Sequence, residues 1–321
     1  MTKPELVPSF EHPDVKQLIE AFCRPVWEQR GPPIKKPQAF VHYTSASALR
    51  AIVTSNSFIA RSVRGMNDSM EGLFLFDGGP QSIMGEIISF VREALGDFFM
   101  REYMSEMPRL RQHLGLNSYS FSLCATEQQL DPNGSIGMWR AYGGVSGAAI
   151  ILKSDFAADI DGRILVMAPV IYVNHADLEQ SFRSMANEVK NISGWSDLDP
   201  GFRMKLLDAT LVYLALHVKN GGFFEEREWR ISTNTTFFPG RPGAKLDVME
   251  IGAIPQMVLR LNFGEGMQLP KYSSVAKAME GVILGPGRHR DLVHHSAEVM
   301  LRHAGMENAR DKISLSATSL Y

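Results

Sequence analysis

The segment Phe224-Glu225-Glu226-Arg227-Glu228-Trp229-Arg230-Ile231 concentrates more ionisable chemistry than any other stretch of the chain. Its spacing predicts a strand over Phe223–Thr233, with Glu226, Glu228 and Arg230 on one face and Trp229 and Ile231 turned into the core. Carboxylates two residues apart on a strand stand about 7 Å apart, side by side. Like charges at that spacing disfavour each other, which a purely structural strand has no reason to tolerate. The bland alternative is a solvated face on which Arg227 and Arg230 neutralise three acids. The flexible run Gly221-Gly222-Phe223-Phe224 just upstream favours the functional reading, because reactive groups often sit beside such loops.

Four further groupings could join that pair. His42-Tyr43-Thr44 ends a short apolar strand and presents an imidazole beside a hydroxyl; a satisfied structural histidine is the alternative. Ser120 and Ser122 share one face of an alternating segment, lining either a polar cleft or solvent. Met138-Trp139-Arg140-Ala141-Tyr142 places Trp139 and Tyr142 three apart, either to stack on a planar ring or to pack in the core. Asn67-Asp68-Ser69-Met70-Glu71 could touch a ribose or a metal, or simply cap a turn. Other patterns fail on spacing. No Walker A sequence or G-x-S-x-G elbow occurs, and Gly285-Pro286-Gly287-Arg288 lacks the Lys-Ser/Thr of a phosphate cradle. His289, His294, His295 and His303 form no H-E-x-x-H pattern, so no metal site is expected.

The elements that must position these groups read as follows. A helix is expected over Asp14–Arg30, then a Pro-rich linker, so residues 1–38 read as a lead-in and 39–321 as a single domain. Strands are expected at Ala39–Tyr43, Phe58–Ser62, Ser118–Ala125 (half-buried), Gly147–Leu152, Ile164–Val173, Val248–Asn262 and Gly281–Leu284. Helices are expected over 48–55, 81–114 with Gly96 as a weak point, 177–190, 203–219 closed by Gly221-Gly222, and 293–303. Strands and helices mix without a βαβ rhythm. The expected class is therefore α+β, with mainly antiparallel sheets and flanking and inserted helices at about 81–114 and 177–219.

Composition bounds the function. The 321 residues include 33 Lys+Arg and 35 Asp+Glu, a net charge of −2, so no global field favours nucleic acid or an anionic membrane. No apolar run approaches the roughly 18 residues of a membrane helix. Cys23 and Cys124 are the only cysteines, too few for a disulfide framework. The opening MTKPELVPSFEHPD is acidic and broken by proline, unlike a secretory signal. A cytoplasmic protein is expected.

The ordered set His42-Tyr43-Thr44, Asn67-Asp68-x-x-Glu71, Phe121-Ser122, Met138-Trp139-x-x-Tyr142-x(4)-Gly147 and Glu226-x-Glu228-Trp229-Arg230 resembles the bacterial family called domain of unknown function 2971, from about residue 39 to about 290. More distantly it resembles ADP-ribosyltransferases, including toxins that modify DNA or RNA. Such enzymes carry an early His or Arg, a strand with Ser or Tyr, and a late Glu often written Glu-x-Glu. That resemblance implies an ADP-ribosyltransferase-like fold and NAD as substrate, with no metal, in a toxin or phage-defence effector. It implies that His42 holds the ribose or diphosphate region, Glu228 binds the nicotinamide-ribose 2′-hydroxyl and Glu226 selects or activates the acceptor. Thr44, Ser120, Ser122 and Trp139 then line the NAD site. Tyr43 or Tyr142 stacks on nicotinamide, and Arg140 or Arg230 meets the diphosphate. The sequence departs from that pattern in having Ser120-Phe121-Ser122 for a Ser-Thr-Ser triplet, and in Arg230. The acceptor, protein or nucleic acid, is not legible. Two other readings compete: a non-enzymatic nucleotide- or protein-binding module in which Arg230 neutralises the Glu pair, and a metal-dependent nuclease built on Asp68, Glu71, Glu226 and Glu228.

Overall fold

The computed structural model describes residues 10–33, 37–66, 75, 83–127, 131–162, 164–236, 245–251, 253–287 and 289–318. In chain order the elements are α1 (Pro13–Arg30), β1 (Ala39–Ser45), α2 (Ala46–Ser55), β2 (Ser57–Ser62), α3 (Met84–Asn117), β3 (Ser118–Thr126), α4 (Ile136–Tyr142), β4 (Ser146–Lys153), β5 (Val166–Pro169) and β6 (Ile171–Val173). They continue with α5 (His175–Val189), α6 (Pro200–His217), β7 (Val218–Asn220), β8 (Glu228–Asn234), β9 (Lys245–Ile251), β10 (Ile254–Asn262), α7 (Val275–Ala278), β11 (Met279–Gly287), α8 (Arg290–His303) and β12 (Ile313–Leu315). The protein is α+β, with a mixed, mostly antiparallel central sheet and flanking helices.

The sheet has ten strands and a fork. One edge of β3 pairs with β8 from Ser118 to Cys124. Its other edge serves two partners: β2 at Tyr119 and Ser120, and β1 at Cys124, Ala125 and Thr126. Beyond β1 the sheet continues through β4, β11 and β12; beyond β2 it continues through β10 and β9. Only the β11–β12 pairing in it is parallel. The middle of β3 therefore borders a gap between two diverging wings, and α2 is the connection that spans it.

Alternation along the strands sorts the two faces. Phe40, Phe58, Phe121, Ile150, Ile231 and Leu259 form one core, closed by α2, α7 and α8 through residues such as Leu49, Ala276 and Leu301. A second core lies among α1, α3, α5 and α6, where Phe22, Phe90 and Phe182 meet edge to face or tilted. α1 forms where 14–30 was expected, with Pro13 in its first turn and the His12 ring accepting from the Asp14 amide. It buries Val15, Leu18 and Phe22 completely, packed on α5 and α6, so it is a core element. A third, smaller cluster joins Val41, Tyr43, Ala149 and Ile283 around Trp139.

Several expected boundaries shift. The strand expected over 164–173 is two, β5 and β6, in different sheets: β5 pairs with β8 as far as Pro169 and Trp229, the Val170 amide continues that register to the Glu228 carbonyl, and Ile171 then opens the parallel pairing of β6 with β7. The strand expected over 248–262 is the hairpin β9–β10, in which Ile251 pairs with Ile254 and Ala253 takes φ 63°. α6 stops at His217, not at the glycine pair, and Val218 starts β7. The first half of β3 is covered on both faces, with Ser118 and Ser120 both inaccessible, and the expected half-burial holds only from Ser122 onward, where buried and part-exposed residues alternate. Gly96 does interrupt α3, at φ 80° and ψ 165°.

Trp139 shows how tightly the third cluster is built. Gly134, Gly147 and Gly285 pack against its ring, and a Cβ added at any of them would come within 3.0 Å of it. Trp139→Ala empties that socket and should destabilise the protein by about 3–5 kcal/mol in urea unfolding, the range for large aromatic truncations. Gly285→Ala, with its Cβ 2.8 Å from the ring, should cost about 1–3 kcal/mol by overpacking.

Candidate functional site

The site begins with a correction to the acidic strand. Residues Gly221–Glu226 form a 3-10 turn, Arg227 adopts a left-handed φ of 45°, and the strand starts only at Glu228. Glu226 is thus off the strand, and the expected side-by-side pair on one strand face does not form. Glu228 and Arg230 do share a face. Both are buried, at 5% and 0% exposure.

Their proximity is resolved as an ion network. Arg230 grips Glu228 with two parallel bonds, Nε to Oε1 at 2.8 Å and Nη2 to Oε2 at 2.9 Å. Lys219, on β7, donates to Glu226 at 2.7 Å and to Glu228 Oε2 at 3.2 Å. The repulsion expected between the two acids is offset by the ammonium set between them. Arg230 also donates to the Leu216 carbonyl at 2.5 Å, and the Glu228 amide donates to the Tyr172 hydroxyl at 2.9 Å. Burial opposes ionisation of Glu228, but Arg230 first, then Lys219, outweigh it and hold the carboxyl well below the usual range.

His42 occupies the fork. β1 leaves β3 after Val41, and the His42 Nδ1 takes up the Ser122 carbonyl at 3.0 Å. A carbonyl only accepts, so Nδ1 carries the proton; Nε2 keeps its lone pair and has no hydrogen-bond partner among the described residues. Burial lowers the imidazole pKa to about 4, so it is neutral at pH 7. The ring lies 4.5 Å from Phe121, on the face opposite Glu228. Both groups nonetheless line one cavity of about 480 Å³, which opens at the fork. Thr44, Tyr43, Tyr142, Ser120 and Ser122 line it as well.

The remaining expected residues divide. Trp139 is buried, its Nε1 donating to the Asn133 carbonyl at 2.8 Å, so it packs and does not stack on a ligand. Arg140 is exposed and outside the cavity lining. Arg230 is sealed away from any diphosphate by its partners. Tyr43 lines the cavity, but its hydroxyl accepts from the Ser135 amide and its ring meets Trp139 edge to face; burial pushes its pKa up to about 12. Glu226 lines a neighbouring hollow of about 390 Å³ with Tyr43, Cys124 and Met138. Asn67-Asp68-x-x-Glu71 lies outside the described residues. Sequence reasoning missed Lys219, Arg61 and Arg260, which also line the fork cavity. No local pattern marks them, because only sheet pairing brings them there.

Among the described residues, no group of three or more His, Cys, Asp or Glu side chains is placed to hold a metal ion, and no helix is long and apolar enough to cross a membrane. Both cysteines are free thiols. Comparisons with protein-family models, curated proteins and solved structures find no match for this chain.

Breaking the ion network should be expensive. Arg230→Met leaves a buried carboxylate without its main partner and should cost about 3–5 kcal/mol by urea unfolding, with part recovered when Glu228→Gln is added. A pH effect comes from His217, whose Nδ1 meets the Tyr213 carbonyl at 2.9 Å and whose Nε2 meets Ser232 Oγ at 3.0 Å. Burial lowers its pKa to about 3, so between that value and about 6.5 the unfolded chain binds the extra proton and stability falls as pH drops. From pH 6.5 to 5 the loss from this group should be about 1.6 kcal/mol, a little under the limiting slope of about 1.4 kcal/mol per pH unit because the unfolded imidazole is already half protonated at about pH 6.5. His217→Gln should remove that portion of the pH dependence when unfolding midpoints at the two pH values are compared.

Proposed function

We propose that the protein binds NAD in the fork cavity and cleaves its nicotinamide–ribose bond, as an ADP-ribosyltransferase-like enzyme of the domain of unknown function 2971 family. The observation that carries this reading is the convergence of His42 from β1, Ser122 from β3 and Glu228 from β8 on one cavity. These are the positions, in chain order, that the resemblance nominates. The volume is of the size that holds a small-molecule ligand.

The chemistry follows from charge. Departure of nicotinamide builds positive charge on the ribose, and a fixed carboxylate stabilises that charge more than it stabilises the neutral ground state. Neutral His42 offers Nε2 as an acceptor for a ribose hydroxyl. Glu228 has four acceptor positions, of which Arg230 and Lys219 take three. The one left on Oε1 is available to the ribose 2′-hydroxyl. No metal is required by this scheme.

One observation favours a second reading. A carboxylate gripped by Arg230 and Lys219 is largely neutralised, which weakens its hold on a developing cation and suits a cleft that binds a nucleotide without turning it over. Nicotinamide release separates the two. The enzyme reading expects release from NAD by the native protein, and a drop of about 100-fold or more in Glu228→Gln, on the scale of losing one preorganised electrostatic group. Circular dichroism confirms that the variant folds. Unchanged turnover in a folded Glu228→Gln protein removes Glu228 from the chemistry. Calorimetric binding of NAD with no nicotinamide released makes the protein a binding module.

A further inference from the structure

The β2–β10 wing of the fork cavity carries charge that the bond-breaking end does not use. Arg61 of β2 pairs with Ser120 of β3, and Arg260 of β10 pairs with Ile59 of β2, so all three polar side chains project from the same face. Arg61 and Arg260 are diagonal neighbours, about 7–8 Å apart at the backbone. All three residues line the cavity.

Each is held ready. The Ser120 hydroxyl is buried at 2% exposure and has no hydrogen-bond partner among the described residues, a state that costs stability unless something in the cavity completes it. Arg260 is anchored through Nε to Asp247 Oδ2 at 2.7 Å, and its two terminal nitrogens make no hydrogen bond to the described residues. Arg61 is oriented by the Gly65 carbonyl and by Gln256 Oε1. Asp247 offsets part of the Arg260 charge. The other cation at the cavity, Lys219, is spent on Glu226 and Glu228 at the opposite end. The charges at that end balance one another, so an anionic ligand is drawn to the arginine wing.

From this arrangement we infer that Arg61, Arg260 and Ser120 form the seat for the diphosphate of a nucleotide. Two guanidinium groups across adjacent strands, with a hydroxyl beside them, match a ligand carrying two linked phosphates better than one carrying a single phosphate. The inference deepens the NAD reading and rests on it for what flanks the diphosphate. It also moves the diphosphate contact away from Arg140 and Arg230.

The test is calorimetry of the full chain with inorganic pyrophosphate, orthophosphate and NAD as separate probes. Pyrophosphate should bind at least ten-fold more tightly than orthophosphate. Arg260→Met should weaken pyrophosphate at least ten-fold and Ser120→Ala several-fold, with melting temperatures close to that of the native protein. If Arg260→Met does not fold, Arg260→Lys, which keeps the charge and loses the fork, should narrow the gap between the two probes. Absence of pyrophosphate binding, or binding that these changes leave untouched, overturns the seat even where NAD is still consumed. Pyrophosphate binding that behaves as expected while NAD neither binds nor reacts keeps the seat and removes the NAD reading.

Discussion

A strand has two edges, and β3 must serve three partners. β8 takes one edge along nearly its whole length, which leaves β1 and β2 to share the other. Two strands cannot occupy one edge at one register, so they diverge, and the backbone polar groups at the junction need another partner. His42 supplies one, closing on the Ser122 carbonyl. The cavity, and the presence of both His42 and Glu228 in its lining, follow from that crowding. A sheet with β1 and β2 in a simple continuous order would have no hollow there.

The second constraint is electrostatic. Two acids, one lysine and one arginine are drawn together where water is scarce, and the cluster is tolerable only because its charges balance and its hydrogen bonds are nearly complete. That balance fixes what the carboxylate can do. It stays ionised, it is held rigidly, and most of its lone pairs are committed. A ligand that uses Glu228 must accept the one direction left, which restricts the geometry of any sugar placed there. The arginine wing on the far side of the fork imposes the opposite preference, for negative charge. A ligand with a sugar at one end and phosphates toward the other satisfies both.

Much of the local structure was legible in the residues. The helices expected from 48, 177 and 203 are present, each beginning two or three residues earlier, where the short polar side chains of Ser45, Asn174 and Asp199 accept the first orphan amides. The period-two run Ser118–Ala125 is a strand for the reason its alternation implied. The acidic segment was misread at one point. Alternation continues on paper from Glu226 to Glu228, yet the left-handed turn at Arg227 breaks it, and nothing in a run of charged residues signals a positive φ. The change of sheet between Pro169 and Ile171, inside what read as one strand, was not visible in the sequence.

The amino-acid sequence by itself determined the α+β class, the positions of most elements and the identity of the residues able to do chemistry, because propensity, capping and periodicity act over a few neighbouring residues. Which of those residues meet was decided by tertiary structure alone. Arg61 and Arg260 are far apart in the chain and adjacent through one ladder; Trp139 and Arg140 are adjacent in the chain, one buried among glycines and the other in solvent. Strand order in a sheet is set by the summed pairing and packing of distant segments. A site assembled across a fork is therefore written in long-range register, which no local pattern carries.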